Sequence, residues 1–509
     1  MAIKFERITP GKLAEAAIVP QVLDNQWVPK QLLPEMINKG KGLTDGSNKS
    51  QREKYVRKEW RRALVYGEQV VVNRAFMFNN DIVLDDYDDK ISRLHFQALL
   101  NDRVIIPYLF NEESPDQKPV FTIGDKKWNA WLEILNESYP ACVRLNWDDQ
   151  KLDFERMSSA FHRYIKSLDT PGMPEGLASY LGIPTDGLGA FKKRIFEVVD
   201  FVTRIGREDK FVTRNMLYSG FVTAPGTPVD SGMYGNGLFS AELKQIFDLK
   251  YNINLPDALG RYALTPEDSL PRSALGDLSE TLRMQSITEN NIQDILRALR
   301  QIAFEKVSKG LYLENLATLS LEDVAEIRKM HEWEKYIQSV RSLLQKPFDF
   351  LDRSTKVYAN FESLNRAISR RKEEQLTKKW DPWIKLTLAL GLSAVEILIN
   401  PSDPSQKMFT KLGTGFVSAG FTPFLMRFTI SAFNKKNNAD LDVSLDFMRG
   451  TINNGQEAWK EIIGRLSSLS GFKELEKAIS ETEDANQSIP ETQSGDRYEL
   501  SQPDQLNNP

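Results

Sequence analysis

The sequence predicts a mainly α-helical, multidomain protein in which a small α/β N-terminal region precedes helical domains and a disordered acidic tail. The length of 509 residues suits about two to four domains. Apolar residues recur at helical spacing along most of the chain, whereas helix-then-strand patterns occur only near the N-terminus. Apolar residues make up 41% of the chain and charged residues 27%, which excludes collagens, disulfide scaffolds, wholly disordered chains and polytopic membrane proteins.

The predicted α/β region comprises residues 1–135 and begins with a well-marked helix. Ser50 and Glu53 form a capping-box pattern, which is typical of a helix start. Gly67 is a residue type that often follows a helix end, because glycine readily adopts the left-handed conformation found there. The helix is therefore predicted over 51–66.

Two strands are predicted in the same region. The run 69–72 is glutamine followed by three valines, and such β-branched residues favour a buried strand. A second helix is predicted around 91–99 from its apolar spacing, and the run 103–106 predicts a strand directly after it. Pro107 should end that strand, because proline cannot donate a backbone hydrogen bond to a neighbouring strand.

Residues 136–319 predict a helical middle domain whose loops are rich in glycine and proline. Apolar stripes with helical spacing lie over 157–168 and over 191–202. A third helix is predicted from near residue 288 to Gly310, where a glycine follows the last apolar position. Helices of this amphipathic kind bury one face against their neighbours, so we expect one packed core here.

Residues 320–480 predict a further helical domain. Its first part, 330–344, places apolar residues at alternating steps of three and four, which indicates a seam against another helix. Pro347 ends this pattern. The domain also contains the two most apolar stretches of the chain, which predict a helical hairpin.

The hairpin is expected from residues 383–399 and 412–426, with a proline-containing turn between them. A membrane span needs about 20 mostly apolar residues, and both stretches are short or carry charges. Three interpretations remain open. The hairpin can be buried core, it can insert into a membrane, or it can form an interface with another subunit.

The last segment, residues 481–509, predicts a disordered acidic tail. Seven acidic residues stand there against Arg497 alone, and few apolar residues are present to order the segment. Cys142 is the single cysteine, so the chain cannot form an internal disulfide. The N-terminus lacks the apolar run of a secretory signal. Together these features predict a cytoplasmic protein, with a location at the membrane periphery if the hairpin acts there.

A basic cluster on the first predicted helix is a candidate anion-binding face. A phosphate contact would need several cations on one helix face, but the near-neutral chain offers no wider basic field for nucleic acid. The alternatives are a solvated face, a nucleic-acid contact, or a contact with anionic lipid or protein. The candidate residues are Arg57, Lys58, Arg61 and Arg62.

No metal site is expected, and the sequence indicates no particular cofactor. Five aspartates occur between residues 81 and 89, but the spacing does not match a calcium-binding loop. We expect an acidic loop and a helix N-terminus, where carboxylates are stabilised by the helix dipole. The three histidines and Cys142 show no metal-ligand or catalytic spacing. A Cys-His pair formed only in space is the alternative.

The segment 248–272 is the best candidate ligand site, because acids, amides and guanidinium groups are dense there. Two arginines could hold a phosphate or carboxylate through forked hydrogen bonds, and carboxylates could act as bases. We expect Arg261 and Arg272 to share a cleft with one of the aspartates. The alternative is structural, since two helix starts fit the same residues. The candidates are Asp248, Asn252, Asn254, Asp257, Arg261, Asp268 and Arg272.

Two functions follow from these candidates. The first is an interaction or regulatory protein that engages a protein partner, or a membrane, through residues 383–433. The second is an enzyme that acts on a phosphate- or carboxylate-bearing substrate through residues 248–272. The sequence does not specify a reaction, and it does not specify an oligomeric state.

Overall fold

The structure is a computed structural model of the whole chain. It describes residues 3–23, 46–110, 112–119, 124–148, 150–208, 210–229, 234–266, 292–313 and 316–389, together with six positions between 456 and 464. As the sequence predicts, the described part is mainly helical and contains a small parallel sheet.

Within this part the sheet has six parallel strands in the order β1-β5-β4-β3-β2-β6. β3 pairs with β4 so that Val70 lies opposite Ile105, and β2 pairs with β6 so that Ile18 lies opposite Tyr262. The strands are β1 (Glu6–Ile8), β2 (Ala17–Pro20), β3 (Gln69–Asn73), β4 (Ile105–Tyr108), β5 (Ala141–Val143) and β6 (Tyr262–Leu264).

The helices lie between the strands and after them. A π-helical turn, Tyr218–Val222, separates two of them. In chain order they are α1 (Gly46–Tyr66), α2 (Arg74–Asn79), α3 (Asp81–Asp88), α4 (Lys90–Asn101), α5 (Asp125–Asn136), α6 (Gln150–Lys166), α7 (Met173–Tyr180), α8 (Leu188–Arg207), α9 (Arg214–Leu217), α10 (Ser240–Leu259), α11 (Ile292–Gly310), α12 (Leu321–Arg328), α13 (His331–Gln345) and α14 (Phe350–Ala389).

The sheet is covered on both faces, as expected for parallel strands. Successive side chains of a strand point to opposite faces. Val70 and Val72 therefore join the core formed with α1, α4 and α5, whereas Val71 joins the core on the other face. That second face is covered by Met157 of α6 and by Leu255 of α10. Valine on both faces explains the continuous apolar run of β3.

Helices α6 to α10 form a helical subdomain with a core of its own. Phe191, Ile195 and Val198 of α8 pack there with Phe161 of α6 and Phe247 of α10. These residues include the apolar stripes that the sequence predicts. The helix α10 belongs to two cores, because its first half packs in the subdomain and its last turns pack on the sheet.

The C-terminal helices α11 to α14 pack on the sheet core and do not form a separate one. α13 ends at Gln345, before Pro347, as predicted. The seam 330–344 meets α14, where the rings of Tyr336 and Phe361 lie 5.0 Å apart. Residues 320–368 therefore complete the core around α1.

The sheet also draws strands from outside the predicted α/β region of 1–135. β5 and β6 come from the segment that the sequence assigns to the helical middle domain. Both strands have only three residues, which is too short for a periodic signal. The parallel sheet is thus assembled from chain segments up to residue 264.

The prediction that Pro107 ends its strand is wrong. Pro107 lies within β4, opposite Val72. Val70 donates to the Val104 carbonyl and Leu109 donates to the Val143 carbonyl. The backbone N–H and C=O groups of the odd-numbered residues of β4 therefore point towards β5. β4 and β5 are in register only at Tyr108 and Val143. The backbone nitrogen of Pro107, which carries no hydrogen, therefore points towards β5, where the two strands are paired over a short length.

Gly67 follows α1 as predicted, but for a different reason. Its backbone is not in the left-handed region. A Cβ atom at this position would lie 2.5 Å from Cγ1 of Ile18 in β2. Glycine is thus needed because the helix end passes very close to the sheet.

The predicted hairpin lies outside the described residues, except that 383–389 form the last turns of α14. The acidic tail, 481–509, also lies outside them. Among the helices that the structure describes, none has both the length and the apolar composition that a bilayer crossing requires.

Candidate functional site

The candidate residues of 248–272 lie at the two ends of α10. Asp248 is buried in the helical subdomain, where its carboxylate accepts from Arg214 Nε at 2.9 Å and Lys244 Nζ at 2.6 Å. The Tyr218 hydroxyl also donates to it. Burial and the neighbouring Asp248 charge raise the pKa of Tyr218 well above its usual range. This network joins α9, the π-helical turn and α10.

Other members of the segment contact different elements. Asn254 donates to the Met157 carbonyl of α6, and Asp257 accepts from Gln301 Nε2 of α11 at 2.7 Å. The side chain of Asn252 is outside the description, and so are Asp268 and Arg272. The shared cleft of Arg261 and Arg272 therefore stays a prediction.

Arg261 lies between the end of α10 and β6, away from the Asp248 network. Its Nη2 donates to the carbonyls of Pro10 and Leu13, both at 2.9 Å, and its Nη1 donates to the Gly260 carbonyl at 2.9 Å. Its Nε is buried and has no hydrogen-bond partner within the described part of the chain. Arg261 thus fixes the β1–β2 connection through its Nη2. Its Nε–H is a donor that no acceptor among the described residues uses.

Arg261 lines a cavity of about 510 Å³. The walls come from the β1–β2 connection, the junction of α10 and β6, α11 and the end of α13. This volume falls in the range of small-molecule sites, which often form where several structural units meet. The polar lining is Glu15, Arg261, Tyr262, Arg297, Arg300, Gln301 and Gln345, and we call this space the arginine cavity.

The described lining of the arginine cavity is mainly basic. Among the described residues that line it, three are arginines and one is acidic, Glu15, which accepts from Gln345 Nε2 at 2.7 Å. Arg297 is exposed and has contacts of its own, whereas Arg261 and Arg300 are more buried. Burial lowers the pKa of Arg261, and the like charge of Arg300 lowers it further, although Tyr262 and Glu15 act in the opposite direction. The Nε of Arg300 is also buried without a hydrogen-bond partner among the described residues. An anion would relieve this repulsion and supply acceptors.

The sequence analysis identified Arg261 but missed Arg297 and Arg300. These two residues are three positions apart on α11, so they lie on the same helix face. On an amphipathic helix, arginines at such spacing are typical of a solvated surface. The spacing of Arg297 and Arg300 indicates a basic helix face. The sequence does not show that α13 and the β1–β2 connection lie against that face.

The basic cluster of α1 is engaged within the fold. Arg61 is buried and forms two 2.5 Å hydrogen bonds with Asp86. Arg62 is buried beside Glu59, at 2.8 Å, and also donates to the Thr265 and Ser308 carbonyls. A solvated face is therefore the wrong interpretation for these two arginines, and their burial does not support an anion site.

The other two members of the cluster also have neighbours. Arg57 is 3.2 Å from the Asp85 carboxylate, and Lys58 lies over the ring of Tyr312 at 5.8 Å. The sequence could not reveal these neighbours, because Asp85 belongs to another helix and Tyr312 is distant in the chain. Anion binding at Arg57 and Lys58 stays a prediction.

The aspartates between 81 and 89 are spread among several partners. Asp81 pairs with Lys127 at 2.7 Å, Asp88 pairs with Lys126 at 3.2 Å, and Asp89 caps α4 by accepting from the N–H groups of Ile91 and Ser92. Within the described residues, no group of histidine, cysteine and acidic side chains could hold a metal ion.

Cys142 and His162 occupy packed positions, whereas His331 is exposed. Burial raises the pKa of Cys142 to about 12, so its thiol is the stable form. His162 is buried in the helical subdomain, and its Nδ1 accepts from the Val212 N–H at 3.1 Å. Neither environment activates a nucleophile.

In comparisons with known proteins, no protein-family model, no curated protein and no solved structure matches this chain. The interpretation of the arginine cavity as a ligand site therefore depends on its geometry and charge alone.

Proposed function

We propose that this chain is a regulatory protein that binds a small phosphate- or carboxylate-bearing ligand in the arginine cavity. The observation that carries the proposal is that Arg261 and Arg300 line one half-open cavity and that each has a buried Nε without a hydrogen-bond partner among the described residues. Guanidinium groups bind phosphates and carboxylates through forked, charge-assisted hydrogen bonds.

The geometry favours regulation over catalysis. Glu15 is the lining carboxylate, and it is already engaged by Gln345. Tyr262 is a poor base because burial raises its pKa to about 12. The walls also join separate parts of the fold, since Arg261 follows α10 whereas Arg300 belongs to α11. A ligand that contacts both would stabilise one arrangement of these elements.

Thermal unfolding of the full chain tests the proposal. Inorganic phosphate and succinate are compared with chloride at matched ionic strength. Binding to the folded state alone adds about 2.7 kcal/mol of stability when the ligand is at a hundred times its Kd, so one of the two anions should raise the Tm.

The variant Arg300→Gln should reduce that increase. Arg204→Gln is the matched control, because Arg204 is exposed on α8 and pairs only with Asp200 among the contacts described. An increase as large in Arg300→Gln as in the parent chain, or the absence of any increase with both anions, would reject the arginine cavity as the site.

A second proposal concerns residues 383–433, as a contact with a protein partner or a membrane at the cytoplasmic face. It is supported by α14, whose 40 residues extend for about 60 Å and run into the first apolar stretch. Flotation with anionic liposomes tests the membrane form. Binding that disappears when Leu388 and Leu392 are both replaced by Asp, with unchanged circular dichroism, would support it. A chain that never floats would leave a buried core or a protein partner, and crosslinking of the full chain would then distinguish these two.

A further inference from the structure

Two buried arginines lie at the carboxyl ends of β3 and β5, the strands on either side of β4. Arg74 directly follows β3 and is 1% exposed, and Arg144 directly follows β5 and is fully buried. Ligands of parallel α/β sheets bind outside the carboxyl ends of the strands. This edge of the sheet is separate from the arginine cavity, which lies beside the start of β6.

Residues 112–119 follow β4 and cross this edge, and we call them the strap. Arg74 holds the strap through the Ser114 carbonyl, at 3.0 Å, and through the Gln117 carbonyl. Arg144 donates to the Glu112 carbonyl at 3.4 Å. Both guanidinium groups therefore contact the same short segment, Arg144 through its Nη1 alone, because its Nε and Nη2 donate to the carbonyls of Asn146 and Trp147.

The strap also supplies the negative charges. Glu112 lies 3.4 Å from Arg74, and Glu113 lies 3.0 Å from Arg144. The side chain of Glu113 is 52% exposed, whereas Arg144 is completely buried. An exposed carboxylate gains little from an ion pair, because water screens it and side-chain freedom is lost. Glu113 also lies 3.9 Å from the exposed Arg7, so the counterion of the buried Arg144 takes part in exposed ion pairs that contribute little stability.

Arg74 retains unused binding capacity. Its Nε is buried and has no hydrogen-bond partner in the described part of the chain. Its pKa is lowered, chiefly by burial, although Glu112 opposes this effect. A doubly charged anion could replace both strap carboxylates without changing the local net charge, and its oxygens could reach the donors that the carbonyls now occupy.

We propose that Arg74 and Arg144 form an anion site for a phosphate group, which the strap occupies through Glu112 and Glu113, so that phosphate and strap compete. Phosphate binding would release residues 112–119 from the sheet edge. The apparent affinity for phosphate equals the intrinsic affinity multiplied by the fraction of molecules in which the strap is open. The site therefore couples ligand binding to exposure of this segment.

The test uses the full chain carrying Arg300→Gln, so that the arginine cavity contributes less. Calorimetry measures the Kd for inorganic phosphate and for methyl phosphate, which separates free phosphate from a phosphate ester. Replacing both strap acids (Glu112→Gln and Glu113→Gln) should lower the Kd of at least one probe by about tenfold. Adding Arg144→Gln should remove the binding. Glu326→Gln with Glu362→Gln is the matched control, since these acids form ion pairs on other helices.

Hydrogen exchange provides a readout that does not depend on the glutamate variants folding. In the chain with an intact strap, saturating phosphate should speed exchange of amides 112–119 and leave α1 unchanged. If the arginines serve only to anchor the strap, the Kd does not fall and phosphate does not change exchange there. Either of these results overturns the proposal.

Discussion

Arg61 and Asp86 form a buried ion pair between α1 and α3. The Arg61 side chain is 2% exposed and the Asp86 side chain 3%. The carboxylate also accepts from Trp60 Nε1 at 2.9 Å, and Arg61 donates to the Leu319 carbonyl. Burying two charges is unfavourable unless the remaining donors and acceptors are paired, and here they are.

The first prediction is that Asp86→Asn strongly destabilises the fold. It leaves the buried guanidinium without a counterion, which costs about 3–5 kcal/mol. Asp85→Asn is the control, because Asp85 is exposed and its pair with Arg57 should be worth about 1 kcal/mol or less. Urea unfolding monitored by tryptophan fluorescence measures both. Equal effects of the two variants would contradict this account.

The second prediction concerns the pH dependence of His162. Burial, and then the nearby Lys166, lowers the pKa of this histidine below 6.5. Lys166, Arg207 and Lys210 line the same depression of the surface and add positive charge. The unfolded chain therefore takes up a proton first. Stability is complete above about pH 6.5 and falls below it, until the folded-state pKa is passed.

His162→Asn should remove this dependence, because the Asn oxygen can accept the Val212 N–H without binding a proton. We compare the free energy of unfolding of the variant and the parent at about pH 7.5 and about pH 5.5. The parent should lose stability relative to the variant at the lower pH. A parent that gains relative stability on acidification would show that the sign is wrong.

At the scale of elements, α1 is sealed at its C-terminus by side chains from α12 and α13. The last carbonyls of a helix lack partners within it. Arg328 donates to the carbonyls of Leu64, Gly67 and Glu68. Trp333 donates to Val65 at 2.8 Å, and Tyr336 donates to Tyr66 at 3.1 Å, so each of these consecutive carbonyls has a donor.

The third prediction is that Arg328→Met lowers stability much more than Arg366→Met. Loss of the guanidinium leaves three carbonyls unpaired, at about 1–3 kcal/mol for each one that water cannot reach. Arg366 has a partner on its own helix, Glu362, and is largely exposed. Chemical denaturation of both variants gives the comparison. If Arg328→Met lowers the free energy of unfolding less than Arg366→Met does, water replaces the hydrogen bonds that Arg328 donates to these carbonyls.

Elements were predictable where their causes are local. The strand β3 and the helix α13 follow from β-branched residues, apolar spacing and Pro347, whereas Gly67 at the end of α1 is required by the nearness of Ile18 in β2. The inward direction of Arg61 and Arg62 was not predictable, because their partners Leu319 and Ser308 are 258 and 246 residues away. The same holds for the site. Arg261 attracted attention through local charge density, whereas the enclosing residues come from distant helices.

At the scale of the molecule, the sheet and the C-terminal helices share one core, and the helical subdomain has another. The fourth prediction is that the sheet does not fold in the fragment 1–319, because this fragment lacks the helices that complete the core around α1. The control is 1–480, which retains them and should unfold within about 4 °C of the full chain. Protection of the β3 and β4 amides from hydrogen exchange in 1–319 would show instead that the sheet is independent, a readout to which the separate core of the helical subdomain does not contribute.

The sealing of α1 by α13 has a consequence for synthesis of the chain. Val65 and its donor Trp333 are separated by 268 residues. At about 5–20 residues per second, roughly 15–50 s pass between the emergence of the helix and of its seal. During that interval the nascent chain exposes the apolar side of α1 and the valines of β3. This protein should therefore depend on chaperones at the ribosome, and slower translation should lower its yield.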